Sequence, residues 1–295
     1  FGGQGLLSEF NAISVIIAVV TMTAGSALLM WIGERITENG VGNGISIVLL
    51  FNIISSLPSD ASTLYTRFMS GKSVAVSAVA AIIIVAIVIA IVVFVVVLQD
   101  GERRIPVQYS KKMQGRKMVG GQSSNIPLKV NTAGVIPVIF ASSIMSFPVV
   151  IAQFFGSRIN YDSIGGHILL MLNSSNWFKP ERPVYSIGMV VYIALIIVFA
   201  YFYTSITFNP LEVANNMKKS GGFIPGIRPG KPTSDYLNSI LNYVVFIGAC
   251  GLTIVCIIPI MVSGLFNVSR LSFGGTSLII IVSVVLETIK AIESQ

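Results

Sequence analysis

Charge is what this sequence has least of. Of its 295 residues only 11% are Asp, Glu, Lys or Arg, and 54% are hydrophobic. An ordinary soluble domain carries roughly 25% charged residues, so the balance excludes a soluble globular protein and indicates an integral membrane protein. Histidine occurs once, at His167, in a polar stretch with no cysteine or carboxylate constellation around it. No metal site and no cofactor are therefore expected. Cysteine occurs twice, at Cys250 and Cys256. Positions six apart point about 240° apart on a helix, which argues against a local disulfide or a shared metal. A Ser/His/Asp set is missing too. Gly71-Lys72-Ser73 looks like the end of a phosphate-binding loop, but Thr66 stands where that loop needs glycine and no strand precedes it. The chain is not expected to be an enzyme. Charge is also missing from the middle of the apolar runs, where none of the 19 basic and 12 acidic residues is expected. An ion-coupled transporter usually places a carboxylate there. The chain begins Phe-Gly-Gly, without Met or a signal-peptide pattern, and is expected to be part of a longer one.

What is present is a series of apolar runs. Spans are expected over 11–32, 45–57 and 74–98, and then over 132–155, 185–208, 239–263 and 273–291. The fold class is thus an all-α membrane protein, a polytopic helix bundle. The second run is short, and the glycine-rich approach Asn39-Gly40-Val41-Gly42-Asn43-Gly44 precedes it. Such a segment is either part of a transport pathway or simply a short or re-entrant helix. Pro58 to Ser73 and Gly156 to Val184 read as polar loops. Pro137 and Pro148 interrupt the fourth run, either as a static kink or as a moving part.

Two loops hold most of the basic charge. Residues 99–131 carry Arg103, Arg104, Lys111, Lys112, Arg116, Lys117 and Lys129 against Asp100 and Glu102. Within them Ile105, Val107 and Tyr109 alternate with polar residues, which predicts a strand, and Met118-Val119 is placed to begin a return strand. The second loop, 209–238, carries Lys218, Lys219, Arg228 and Lys231, with prolines and glycines fixing irregular turns around Arg228. Counted over alternate loops, Lys and Arg number 13 on one side and 6 on the other. The richer side, with loops 33–44, 99–131 and 209–238, is expected to be cytoplasmic. Basic loops there either anchor topology or meet a soluble partner.

The stretches GERITENGVGNGISI, GERRIPVQYSKKMQGRK, PLKVNTAGVIPVIFASSI, SGGFIPGIRPGKPT and FGGTSLII, in that order, resemble the bacterial SecY family of protein-translocation channels. The resemblance covers nearly the whole chain. It implies the fourth to tenth spans of a ten-span, two-half pseudosymmetric channel with a basic hairpin-like cytoplasmic loop. Residues 1–98 would end the N-terminal half and 132–295 would form the C-terminal half. It further implies that secretory preproteins cross through the centre of a bacterial cytoplasmic membrane channel, while signal peptides and membrane helices leave sideways into lipid. Motif positions place Ile45, Leu49, Ile139 and Ile280 in an apolar pore ring, with leucine at 49 where isoleucine is common. They place Ser143 and Phe147 at the lateral gate. Arg103, Arg104, Lys111, Lys112, Arg116, Lys117, Lys218, Lys219, Arg228 and Lys231 would dock a SecA-type motor ATPase or the ribosome. A SecE-like and a SecG-like subunit are the other implied partners. A solute transporter and a scaffold binding anionic lipid are the rival readings.

The scaffold reading makes residue order in the loops irrelevant. Scrambling 103–117 at constant charge, or making Arg228→Glu, is expected to impair motor-driven translocation in reconstituted vesicles while membrane insertion stays normal. Normal translocation by both variants would remove the docking assignment.

Overall fold

A computed structural model describes residues 11–40, 42–70, 73–109, 112–114, 117–119, 123–155, 163–177, 183–266 and 275–293. Among them, five helices are long and apolar enough to cross a membrane. The chain divides into two compact units, residues 1–56 with 283–295, and residues 57–282.

In the first unit, α1 (Ala12–Asn39) reverses into α2 (Gly44–Phe68), which continues beyond it. The glycine-rich stretch is this reversal. Gly42 has φ +83°, a left-handed conformation that favours glycine. The Gly44 N–H donates to Thr37 Oγ1 at 2.9 Å, and Thr37 Oγ1 donates to the Gly33 carbonyl at 3.0 Å. Asn43 Oδ1 caps α2 by accepting from the Ile45 and Ser46 N–H groups. A Cβ on Gly44 would run into the Gly33 carbonyl, so only glycine allows this crossing.

The expected short second span, 45–57, is corrected: α2 runs through Pro58 to Phe68. The polar residues that suggest a loop bond to their own helix instead. Ser56 Oγ donates to the Ile53 carbonyl, Ser62 Oγ and Thr63 Oγ1 to Ser59, and Thr66 Oγ1 to Ser62. Asp60 is thereby carried inside a candidate span and is 3% exposed. It lies six residues before the end of that span, away from its middle, where no charge is expected.

The second unit continues with α3 (Val74–Asp100). α3 packs with α8 in this unit. The fourth run begins later than expected, as α4 (Ile136–Phe155), after a turn in which Gly134 has φ +63°. Pro137 lies in the first turn of α4, where no N–H is needed, so only Pro148 interrupts the helix. The expected loop 156–184 contains α5 (Ile164–Leu172). Its His167 lies 3.2 Å from the Tyr185 hydroxyl. Trp177 is buried beside this helix, donating from Nε1 to the Met171 carbonyl at 2.6 Å and packing on Tyr192.

α6 (Ile187–Thr207) matches its expected run. α7 (Pro210–Lys219) starts at an Asn209 cap that accepts from the Leu211 and Glu212 N–H groups. α8 (Lys231–Phe266) starts two turns before the expected span, and α9 (Gly275–Glu293) follows. Cys250 and Cys256 are both free. Ala200 of α6 forms a hydrophobic cluster with Leu241, Val245 and Ala249 of α8. Phe140 of α4 stacks on Phe199 with ring centroids 5.7 Å apart.

The Gly44 contact gives a direct test. Gly44→Val is expected to cost about 1–3 kcal/mol by overpacking and to lower the melting temperature of the purified protein. An unchanged melting temperature would mean the α1–α2 crossing is not closed by that contact.

Candidate functional site

The two basic loops, separated in sequence by three helices, fold together in the second unit. The first loop rises as β1 (Glu102–Tyr109) and returns as β4 (Ser123–Lys129), antiparallel, from Glu102 opposite Lys129 to Gln108 opposite Ser123. Between them lie β2 (Lys112–Gln114) and β3 (Lys117–Val119), a small hairpin of their own. The strand expected at Ile105–Tyr109 is present. Met118-Val119 does not pair with it, because those residues pair with β2, and the return strand is β4. From the second loop, β5 (Gly222–Phe223) adds to the other edge of β1, giving the order β4-β1-β5.

Alternation along β1 decides what faces inward. Ile105 and Val107 are buried with Leu128 of β4, Met217 of α7, Ile224 just past β5 and Leu237 of α8. Partly buried Ile126, Phe208, Val213, Ile227 and Ile240 surround them. The basic loops are therefore not loose tethers but the shell of one small hydrophobic core. Its early α8 residues explain the helix's extra two turns: Leu237 is fully buried there and Thr233 is 2% exposed.

Pro106 and Pro127 lie on the opposite face of the ribbon. Neither has an N–H, which suits positions whose backbone points away from the partner strand. Both missing donors then fall on the ribbon's outer edges, where they discourage another chain from adding a strand.

The charges ride on this scaffold. Arg103, Arg104, Lys218, Lys219, Arg228 and Lys231 are all exposed. Arg104 bonds to Glu102 Oε1 through Nε at 2.8 Å and Nη2 at 2.7 Å. With Arg104 69% exposed, this pair orders the side chain more than it stabilises the fold. The Arg228 turn is built by Gly226 at φ +83° and Gly230 at φ +108°. Thr233 Oγ1 donates to the Arg228 carbonyl at 2.8 Å, and the Thr233 and Ser234 N–H groups donate to Gly230. The backbone of Arg228 is held while its guanidinium stays free to meet solvent or a partner. Lys112 and Lys117 lie on β2 and β3. Lys111 and Arg116 lie outside the described residues.

The other expected site residues lie on helices. Ile45 and Leu49 are one turn apart on α2 in the first unit, both exposed. In the second unit Ile280 of α9 is half-buried, and Ile139 of α4 is exposed. On α4, Ile139, Ser143 and Phe147 are each four residues apart and all exposed, so one stripe holds a ring candidate and both gate candidates. Val138, Ala141 and Met145 are buried on the same helix. Phe147 is 65% exposed and directly precedes Pro148. Sequence reasoning missed Gly222, Thr233 and Leu237 as site residues. Leu237 continues the helical spacing of α8 before the expected start of that span, which was the available signal.

A family model described as SecY matches residues 2–289. The protein translocase subunit SecY of Streptomyces galbus is 44% identical over 296 residues, covering 100% of this chain and 64% of that protein. The subunit of the same name from Mycobacterium tuberculosis is 42% identical, covering 98% of this chain and 64% of its own length. The chain thus spans a little under two thirds of these relatives. A solved structure described as that of a protein-conducting channel superposes with TM-score 0.61 at 18% identity, covering 100% of this chain and 68% of the other. The fold is shared with such channels.

The core behind the charges is separable from them. Leu237→Ala is expected to cost about 2–5 kcal/mol and to make the basic loops sensitive to protease while the membrane helices stay resistant. Equal protease resistance of the variant and the parent would show that the loops do not depend on this core.

Proposed function

Because the chain belongs to the SecY family, we propose that it forms part of a protein-conducting channel for unfolded secretory polypeptides. The observation that carries this is likeness over the full length of the chain to proteins named protein translocase subunits. The chain contributes several apolar helices to a multi-pass membrane channel subunit. In our reading that membrane is the bacterial cytoplasmic membrane, with loops 33–44, 99–131 and 209–238 on the cytoplasmic side, where basic residues concentrate.

Ile45, Leu49, Ile139 and Ile280 then line the constriction. An apolar ring resists water and ions by dewetting, yet yields to a passing chain because no specific bond has to break. Ser143 and Phe147 share the exposed stripe of Ile139, so a chain in the pore and a helix leaving sideways would meet the same face of α4. Pro148 leaves one carbonyl of α4 without its helical donor, a weak point about which the gate helix can bend.

Arg103, Arg104, Lys111, Lys112, Arg116, Lys117, Lys218, Lys219, Arg228 and Lys231 dock the partner that supplies energy. A SecA-type motor ATPase would be met through carboxylates and helix ends. A ribosome would be met through RNA phosphates, with strong salt dependence. The family is a channel family rather than an enzyme family, so ATP is used by the partner. A SecE-like clamp, a SecG-like subunit, signal peptides and lipid complete the set.

The test places a photo-crosslinking residue at Ile139 in the complete protein with a secretory chain stalled in transit. A crosslink to the stalled chain is expected at Ile139 and not at Ile82, a 69% exposed position on α3. No crosslink from Ile139 to a chain verified as stalled would take α4 out of the pathway.

A further inference from the structure

A cavity of about 520 Å³ opens between the end of α6 and the first turns of α8, wholly within the second unit. Thr204, Leu241 and Val245 are its buried lining residues. Around them stand Tyr201, Phe208 and three asparagines, Asn209, Asn238 and Asn242. The Tyr201 hydroxyl donates to the Asn242 carbonyl at 3.1 Å, which ties the α6 wall to the α8 wall. None of the ring, gate or docking candidates lines this space.

The lining is chemically selective. It contains no Lys, Arg, Asp or Glu, so an ion of either sign would leave water without gaining a counter-charge. What it offers is neutral hydrogen bonding. Thr204 is 2% exposed, and its Oγ1 has no hydrogen-bond partner. A buried hydroxyl is rarely left so, because nothing replaces the water it has lost. Ser205 Oγ donates to the Phe202 carbonyl at 2.7 Å and keeps lone pairs with which to accept. Asn209 Oδ1 is engaged in capping α7, which leaves its amide NH2 as the group it can offer. Asn238 and Asn242 are exposed amides that both donate and accept. Donors and acceptors mixed around aromatic rings suit a ligand rich in hydroxyls. Each hydroxyl both donates and accepts, and the C–H edges between them can lie against an aromatic face.

The cavity lies where the apolar runs of α6 and α8 give way to the polar segment 209–238. Tyr201, Phe202 and Phe208 mark the level at which aromatic residues meet lipid head groups. Phe202 lines the cavity and is 59% exposed, and Phe246, one turn beyond Asn242, is 51% exposed. Acyl chains can lie along this apolar surface while a head group enters the cavity. We propose that the cavity binds the uncharged polyhydroxyl head of a membrane lipid, with Thr204 as its buried hydrogen-bonding group.

The test uses the complete protein in its membrane complex, purified in detergent. Monoglucosyl dioleoylglycerol is the probe, and native mass spectrometry reads the bound lipid. The glucosyl lipid is expected to bind about fivefold tighter than dioleoyl phosphatidic acid, which carries charge in place of the sugar. Thr204→Val keeps the shape of the side chain and removes the hydroxyl. It is expected to weaken the glucosyl lipid about fivefold, while the melting temperature without lipid stays equal or rises. A lowered melting temperature with unchanged lipid affinity would make the hydroxyl structural and overturn its role. Ser205→Trp fills the cavity from an exposed lining position and is expected to abolish binding. Free methyl glucoside separates the two sources of the sugar. Displacement of the lipid by an equal concentration of methyl glucoside would overturn the lipid and leave a soluble polyol as the ligand. Equal binding of phosphatidic acid, undiminished binding in both variants, or no binding by the parent would overturn the proposal as a whole.

Discussion

A hydrogen bond from the Val130 N–H to the Gly101 carbonyl, 2.8 Å long, closes the base from which the ribbon rises. It joins the end of α3 to the turn that leads into α4. Both sides of this junction rest on glycines of α8. A Cβ on Gly248 would run into the Val130 carbonyl, and one on Gly251 would meet Leu98. The β1–β4 register begins at this closure, and with it the alternation that sends Ile105 and Val107 inward and Arg104 outward. Backbone contact at α8 thus sets where the charges stand.

The helices answer a different constraint. In hydrocarbon each backbone polar group must be satisfied within the chain, and polar side chains need partners as well. Here many find them on their own helix. Thr21, Thr23 and Ser26 of α1 donate to carbonyls four residues back, as does Thr253 of α8. Hydroxyl residues can therefore sit on helices whose apolar side chains are widely exposed, such as Ile13, Ile16 and Val20 of α1. The same device keeps α2 helical past Pro58 and brings Asp60 into a buried position. Asp60 lies toward the end of its span, and the assignment stands on likeness to the SecY family.

The apolar runs were legible because length and hydropathy report them directly, and α3 and α6 fall close to their expected bounds. The boundaries that failed did so for identifiable reasons. A proline next to serines reads as a break, but Pro58 loses one helical hydrogen bond while its neighbours repair the turn. Pro137 looks like an interruption and instead lies in the first turn of α4, where the missing N–H costs nothing. Alternation at Ile105, Val107 and Tyr109 announced β1. It could not announce β5, whose two residues have no pattern of their own and exist as a strand only because β1 is beside them. The charged members of the candidate site were visible as charge. The residues that hold them, Leu237, Thr233 and Gly222, act through contacts distant in sequence, which periodicity does not carry.

Pairing of Gln108 with Phe223 joins residues 115 positions apart. Chain synthesis at about 5–20 residues per second separates the appearance of these two strands by roughly 6–23 s. Through that interval β1 and β4 can close on each other, but Ile105, Val107 and Leu128 have no α7 or α8 to cover them. An apolar strip on a nascent ribbon invites pairing with any neighbouring chain. The edge prolines, Pro106 and Pro127, blunt that hazard from the moment the ribbon forms. They protect an intermediate of biogenesis as much as the finished protein.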